Sequence, residues 1–294
     1  KVMEKLLPLK LKRHGTFSIR EGWIEKGINY INADSKCFSK EKGAGVFGIG
    51  SNMVSSLRYW LTASRVAEFN TTGAQLTELG NLLIQYDPYI EDLFSLWFIH
   101  INLSINKLDA PIFNAIANLK YLQFDKKFLL SVLPDELRNN GFEPVNSISS
   151  LESDITVYLK SYYGDDIGNP ENNLNCPLAK LRLLTLGDGN MYFKKSPDLS
   201  SLDFRVVYYS ILKWVEIRNG GQFNQYSFNI EDMFNDVDTP LNILNLSKSS
   251  FYYYLDEMKR RRFISLSKTA GLNVVYIDNC MGLEELFRSY FNKN

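Results

Sequence analysis

Gly48-Ile49-Gly50 interrupts the chain, Ser51 offers a side-chain oxygen to cap a helix, and Asn52 to Thr62 follows at helical period. A β-prone run (Arg65-Val66-Ala67-Glu68-Phe69), a turn at Asn70-Thr71-Thr72-Gly73 and a return run (Ala74 to Thr77) come next, before Glu78-Leu79-Gly80 opens another helix. A helix followed by a small hairpin and a further helix is the order of a helix-turn-helix with a β-wing. Because the pattern recurs twice downstream in weaker form, the expected fold is mainly α with small β-wings, built from several winged-helix-like helix-turn-helix units.

Three regions follow from the recurrences. Residues 1–86 form an amino-terminal winged-helix DNA-binding unit, its pattern running from about 14 to 86. Glu21 to Ile31 places Trp23, Ile24, Gly27, Ile28 and Ile31 on one stripe, and Ser35 to Lys42 reads as a short second helix. On the third helix Met53, Val54, Leu57, Trp60 and Leu61 fall inward, leaving Asn52, Ser55, Tyr59 and Thr62 outward with Arg58 at the flank. Side chains of this kind donate to bases and phosphates. The plainer alternative is a solvated face in a unit that binds only protein.

Residues 87–198 form a helical middle region with a possible degenerate copy from 124 to 195. It has helices over Asp125–Asn139 and Ser150–Tyr162, an exposed loop over Gly164–Asn175 and a hairpin turn at Asp188-Gly189-Asn190. The outward Glu152, Ser153 and Thr156 make it a poor phosphate surface. Residues 199–294 hold the third copy, over about 228 to 278. Ser247 or Ser249 caps a helix with Phe251, Tyr254, Leu255 and Met258 inward and Tyr253 outward. Lys259-Arg260-Arg261-Arg262 ends that helix, and Lys268 lies in the following wing.

Overall charge excludes nothing, since 33 basic residues balance 33 acidic ones. Its distribution is uneven. Residues 1–65 carry twelve basic side chains against five acids, whereas residues 66–175 carry six against fifteen. The best reading helix therefore sits in the basic part of the chain, with Lys10, Lys12, Arg13, His14, Arg20 and Arg58 as phosphate contacts. Asn52, Ser55 and Tyr59 would face a groove, and Tyr253, Lys259, Arg260, Arg261, Arg262 and Lys268 form a second candidate contact set.

Most enzyme classes lack their signatures. Three cysteines without CxxC spacing and two histidines support neither a disulfide framework nor a zinc finger, which suits a reducing cytoplasm. No GxxxxGK[ST], GxSxG or HExxH occurs, and Gly48-Ile49-Gly50 lacks the third glycine of a dinucleotide loop. The apolar run Leu93–Leu103 is about half the length of a membrane span, and the start has no secretory core, so no membrane partner is expected. Asp87-Pro88 reads as a helix cap followed by a first-turn proline. Asp87, Glu91, Asp92 and His100 nevertheless form one candidate catalytic set, which would gather Mg²⁺ or Mn²⁺ for phosphodiester cleavage; no other cofactor is indicated.

The segment His14-Gly15-Thr16-Phe17-Ser18-Ile19-Arg20-Glu21-Gly22-Trp23-Ile24-Glu25-Lys26-Gly27 resembles the bacterial domain of unknown function 4007. So do Gly48 to Val54 with Arg58-Tyr59-Trp60, and Leu76 to Gly80. The likeness continues through Asp87 to Asp92 with Leu96 to His100, Cys176-Pro177-Leu178, and Thr269 to Leu272, in that family's order. Gly15 departs from it, since an acidic residue is expected after the histidine. The resemblance implies a component of DNA phosphorothioate modification, in which sulfur replaces a non-bridging backbone oxygen. It further implies the DNA-engaging, nicking subunit of the single-strand version. Its partners would be DNA, a cysteine desulfurase, an ATP pyrophosphatase and an ATPase. The leading expectation is a DNA-binding accessory component of such a system. A metal-dependent nickase, a transcription regulator and a protein-docking scaffold are the rivals.

Overall fold

The computed structural model describes residues 6–39, 41–163, 176–222, 226–269 and 272–292, except the side chains of 268, 269 and 272. The loop expected over 164–175 and the Ala270-Gly271 part of the last turn lie outside the described residues. Backbone contacts gather the chain into two compact units, residues 1–195 and 196–294. The two regions expected over 1–86 and 87–198 thus fall almost wholly in the first. The fold is mainly α with three small antiparallel sheets among the described residues.

The first unit opens with α1 (Trp23–Ala33), α2 (Gly43–Phe47) and α3 (Ser51–Ala63). All five residues of the expected α1 stripe are buried. No helix forms among the described residues of Ser35–Lys42. Asp34 instead accepts the Lys36 amide at 2.8 Å, winding the chain into turns before helix resumes at Gly43. Ser51 is the first residue of α3 and not its cap, because Gly50 holds the extended cap position without a side chain to offer. The strands β1 (Ala67–Phe69) and β2 (Ala74–Leu76) pair with Ala67 opposite Leu76. Their turn is tied by Asn70 Oδ1, which accepts from the Thr72 and Gly73 amides. Next is α4 (Glu78–Tyr86), capped by Thr77, whose oxygen accepts the Gly80 amide. Gly80 is obligatory, since a Cβ there would stand 2.3 Å from the Val66 carbonyl oxygen.

The remaining helices build the core. Every residue of α5 (Leu93–Ile105) after the first is buried, consistent with its all-round apolar sequence. It is followed by α6 (Pro111–Asn118), β3 (Gln123–Phe124), α7 (Lys126–Asn139, capped by Asp125) and α8 (Ile148–Tyr162, capped by Ser147). A 3-10 turn at Pro177–Leu181 leads to β4 (Leu184–Leu186) and β5 (Tyr192–Lys194), with the sheet in the order β3-β5-β4.

The second unit contains α9 (Phe204–Arg218), β6 (Ser227–Asn229), α10 (Ile230–Asn235), α11 (Pro240–Ile243) and α12 (Lys248–Arg260). It closes with β7 (Ile264–Thr269), β8 (Leu272–Ile277) and α13 (Leu283–Phe291). Its strand order is β6-β8-β7. The connectivity α6-β3-α7-α8-β4-β5 is therefore repeated here, with the second helix divided into α10 and α11. Phe251, Tyr254, Leu255 and Met258 of α12 are buried, and Ser247 caps it by accepting the Ser250 amide.

Candidate nucleic-acid interface

The α3 side chains split. Asn52, Ser55 and Arg58 are exposed, but Tyr59 is only 7% exposed and donates its hydroxyl to the Asp109 carbonyl at 2.9 Å. Tyr59 is thus a correction to the expected outward face. Burial, with the Asp154 carboxylate adding to it, holds its phenol far above the usual range. Ser55 donates its hydroxyl to the Ser51 carbonyl at 3.1 Å, which leaves its oxygen able to accept. The Arg58 guanidinium lies 4.7 Å from the centre of the Phe69 ring on β1, so the hairpin steadies it over an exposed surface.

His14 is the second correction. It is 2% exposed, stacks on Trp60 with centroids 5.5 Å apart, and brings Nε2 within 3.0 Å of Asp154 Oδ1. The Lys12 amide donates to both Asp154 oxygens, at 3.0 and 3.1 Å, and the His14 carbonyl accepts from Ser56 Oγ. Trp60 Nε1 in turn donates to the Phe17 carbonyl at 3.0 Å. Residues 12–17 are therefore stitched onto α3 and α8, and Trp60 and Tyr59 pack in place of stacking on a ligand. The Lys10 and Lys12 side chains remain exposed. Arg13 is paired with Asp109 at 2.6 Å, and the half-buried Arg20 rests on Phe17 and Trp23.

In the second unit Tyr253 is exposed, joined by Tyr252, which the sequence reading did not single out. The basic run at the end of α12 is less available than it looked. Arg260 and Arg261 both bind Glu257, whose carboxyl is held below its usual range chiefly by Arg261, and Arg261 also lies over Phe204 at 4.8 Å. Lys259 and Arg262 are left as exposed cations without a side-chain partner among the described residues. The Lys268 backbone pairs with Asn273, but its side chain lies outside the described residues.

The candidate catalytic set does not assemble. Asp87 ends α4 and, contrary to expectation, does not cap the next helix: its carboxylate accepts the Glu91 and Asp92 amides, each at 3.1 Å. Asp92 is the α5 cap, accepting the Phe94 amide at 2.7 Å. His100 is 3% exposed with Nδ1 2.7 Å from the Tyr162 hydroxyl, and eight residues of helix place it about 12 Å along the axis from Asp92. Among the described residues no three His, Cys, Asp or Glu side chains converge as metal donors. No helix among them is long and apolar enough to cross a membrane.

Sequence reasoning missed Asp154 and Asp109. Asp154 had a signal, an acid on the inward stripe of Leu151, Ile155 and Tyr158. Asp109 had none, because Arg13 and Tyr59, which it holds, come from far along the chain.

The protein of unknown function family DUF4007 matches residues 11–290, nearly the whole sequence. The chain belongs to the DUF4007 family. Its fold is shared with a crystal structure of magnesium-ion-bound SspB, at a TM-score of 0.83 and 19% identity over 97% of this chain and 89% of that one. A second SspB crystal structure gives a TM-score of 0.82 and 19% identity, covering 98% of this DUF4007 chain and 89% of its own. The sequence has no significant match among curated proteins.

Proposed function

We propose that this DUF4007 chain is the DNA-binding component of a DNA phosphorothioate modification system. It would hold DNA while a cysteine desulfurase, an ATP pyrophosphatase and an ATPase supply the sulfur chemistry. The observation that carries the reading is the outward stripe of Asn52, Ser55 and Arg58 on α3, backed by a hairpin that braces the arginine. We read α1 to α4, α6 to β5 and α9 to β8 as three winged-helix variants, on the strength of their element orders. SspB similarity and family membership support the assignment to such a system.

The test is duplex binding as a function of salt. With His14 and Tyr59 in the core and Arg13 paired, the first unit offers Lys10, Lys12, Arg20 and Arg58. Four phosphate contacts from this unit contribute about −3.6 to the log–log slope, a loss on the order of 10²-fold between about 50 and 200 mM salt from the first unit alone. Arg58→Ala should reduce the slope by about 0.9, and an affinity indifferent to salt would refute the reading. The nickase variant requires Mg²⁺ or Mn²⁺. Relaxation of supercoiled plasmid by wild type that Asp92→Ala abolishes, in protein still folded, would establish it. Strong choice of one operator over random duplex would instead favour a transcription regulator, and binding to the partner proteins without DNA would favour a scaffold.

A further inference from the structure

In the first unit the start of α7, the outer side of α8 and the β4–β5 turn line a half-open cleft of about 530 Å³. Lys126 and Lys127 come from α7 and Lys160 from α8, so two helices that are separate in sequence point cations at one space. Lys127 and Lys160 are exposed and have no side-chain partner among the described residues. Lys126 reaches Glu152 at 2.9 Å, a bridge with its side chains 39% and 50% exposed, which an incoming anion displaces at little cost. The carboxylate of Asp125 is already engaged, accepting the Phe128 amide at 2.7 Å as the α7 cap. The remaining wall is mixed, with Leu130 beside Thr156, Gly189 and Asn190. Leu159 forms part of it, and the Tyr192 ring is held edge-on by Tyr163 with centroids 5.8 Å apart.

We propose that this cavity binds one nucleoside phosphate of a single DNA strand, with Lys127 and Lys160 on the phosphate and Tyr192 beside the base. The volume lies in the range of small-molecule sites, enough for one nucleotide and too little for a double helix. Cations with an aromatic wall are the combination that holds single strands without reading their sequence. The inference rests on the reading that the chain engages DNA, and adds a second place of contact and the form of nucleic acid bound there. It also reverses the expectation drawn from Glu152, Ser153 and Thr156 alone, because the lysines that matter frame α8 and do not lie on its middle.

The test uses the full chain with a short labelled oligothymidylate and, separately, a labelled duplex. The Lys127→Ala/Lys160→Ala variant should bind the oligomer at least tenfold more weakly, with a salt slope shallower by about 1.4, two contacts at about 0.7 each. Its duplex affinity should stay within about twofold, as should its circular dichroism. Arg58→Ala should do the opposite, weakening duplex and sparing the strand. An oligomer carrying 5-iodouracil should photocross-link to Tyr192. Unchanged oligomer affinity in the double variant, or cross-links confined elsewhere, would overturn the cavity while leaving duplex binding intact. Binding of neither DNA form by wild type would remove the underlying reading as well. Free thymidine monophosphate should compete only weakly, and displacement as effective as by unlabelled oligomer would replace the strand with a free nucleotide.

Discussion

Asp154 accepts the Lys12 amide with both oxygens and faces the His14 ring inside the core, so its removal leaves a backbone donor without its acceptor and takes the carboxylate from beside the imidazole. Leaving such groups unsatisfied costs about 2 kcal/mol. Asp154→Ala should lower the urea midpoint accordingly and, by freeing the segment that carries Lys10 and Lys12, weaken duplex binding per folded molecule, while Arg58→Ala in that background still reduces the salt slope by about 0.9. Lys194 is a second, part-buried polar anchor. Its ammonium donates to the Ala117 and Leu119 carbonyls at 3.0 and 2.7 Å, and burial, with Lys120 adding to it, pushes its pKa from 10.5 down to about 7. Between those two values the unfolded chain holds a proton that the folded chain has released, so this group's contribution to stability rises with pH across the window. Below about 7 both states are protonated and the full penalty stands. Denaturation midpoints at neutral and at alkaline pH should therefore differ more for wild type than for Lys194→Met, and equal differences would show that the amine does not titrate on folding.

Helix caps separate the two best reading-helix candidates. Ser247 accepts the Ser250 amide at 3.0 Å, and Ser247→Ala should cost about 1 kcal/mol. Ser51 caps nothing, because Gly50 occupies that position, so Ser51→Ala should leave the midpoint nearly unchanged. Paired thermal melts of the two variants check both statements. The same contrast marks what the sequence could and could not convey. Inward stripes on α1 and α12 were legible residue by residue, since a period of 3.6 is a local property and the core they meet is generic. Tyr59 was misassigned because the Asp109 loop closes over the flank of α3, and no local pattern records a partner fifty residues away. The α5 start was displaced for a different reason. Ile90 takes a left-handed φ of 55° just after the proline, which ends the turn that Asp87-Pro88 begins and hands the cap to Asp92. The lysine-lined cavity was invisible until α7 and α8 stood side by side.

At the scale of the molecule the charges cancel, so no long-range pull toward DNA arises from net charge and any binding must come from local groups. Residues 196–294 have a core of their own, with Trp214, Phe251, Tyr254, Met258, Val275 and Phe287 all buried. Arg205, itself buried, binds Asp203 with one nitrogen and Ser289 with two others, tying the start of α9 to α13. A unit of that size with its own core and a three-stranded sheet is expected to fold alone, so the fragment should unfold in one cooperative transition with a helical spectrum. Its α12 surface then becomes separately measurable. Because Glu257 occupies Arg260 and Arg261, only Lys259 and Arg262 of the basic run are available to phosphates, and the fragment's duplex affinity should carry a salt slope of about −1.8. Glu257→Gln frees two more cations and should steepen it by about the same amount again. A fragment that folds but gives the same slope with and without Glu257 would confine DNA engagement to the first unit.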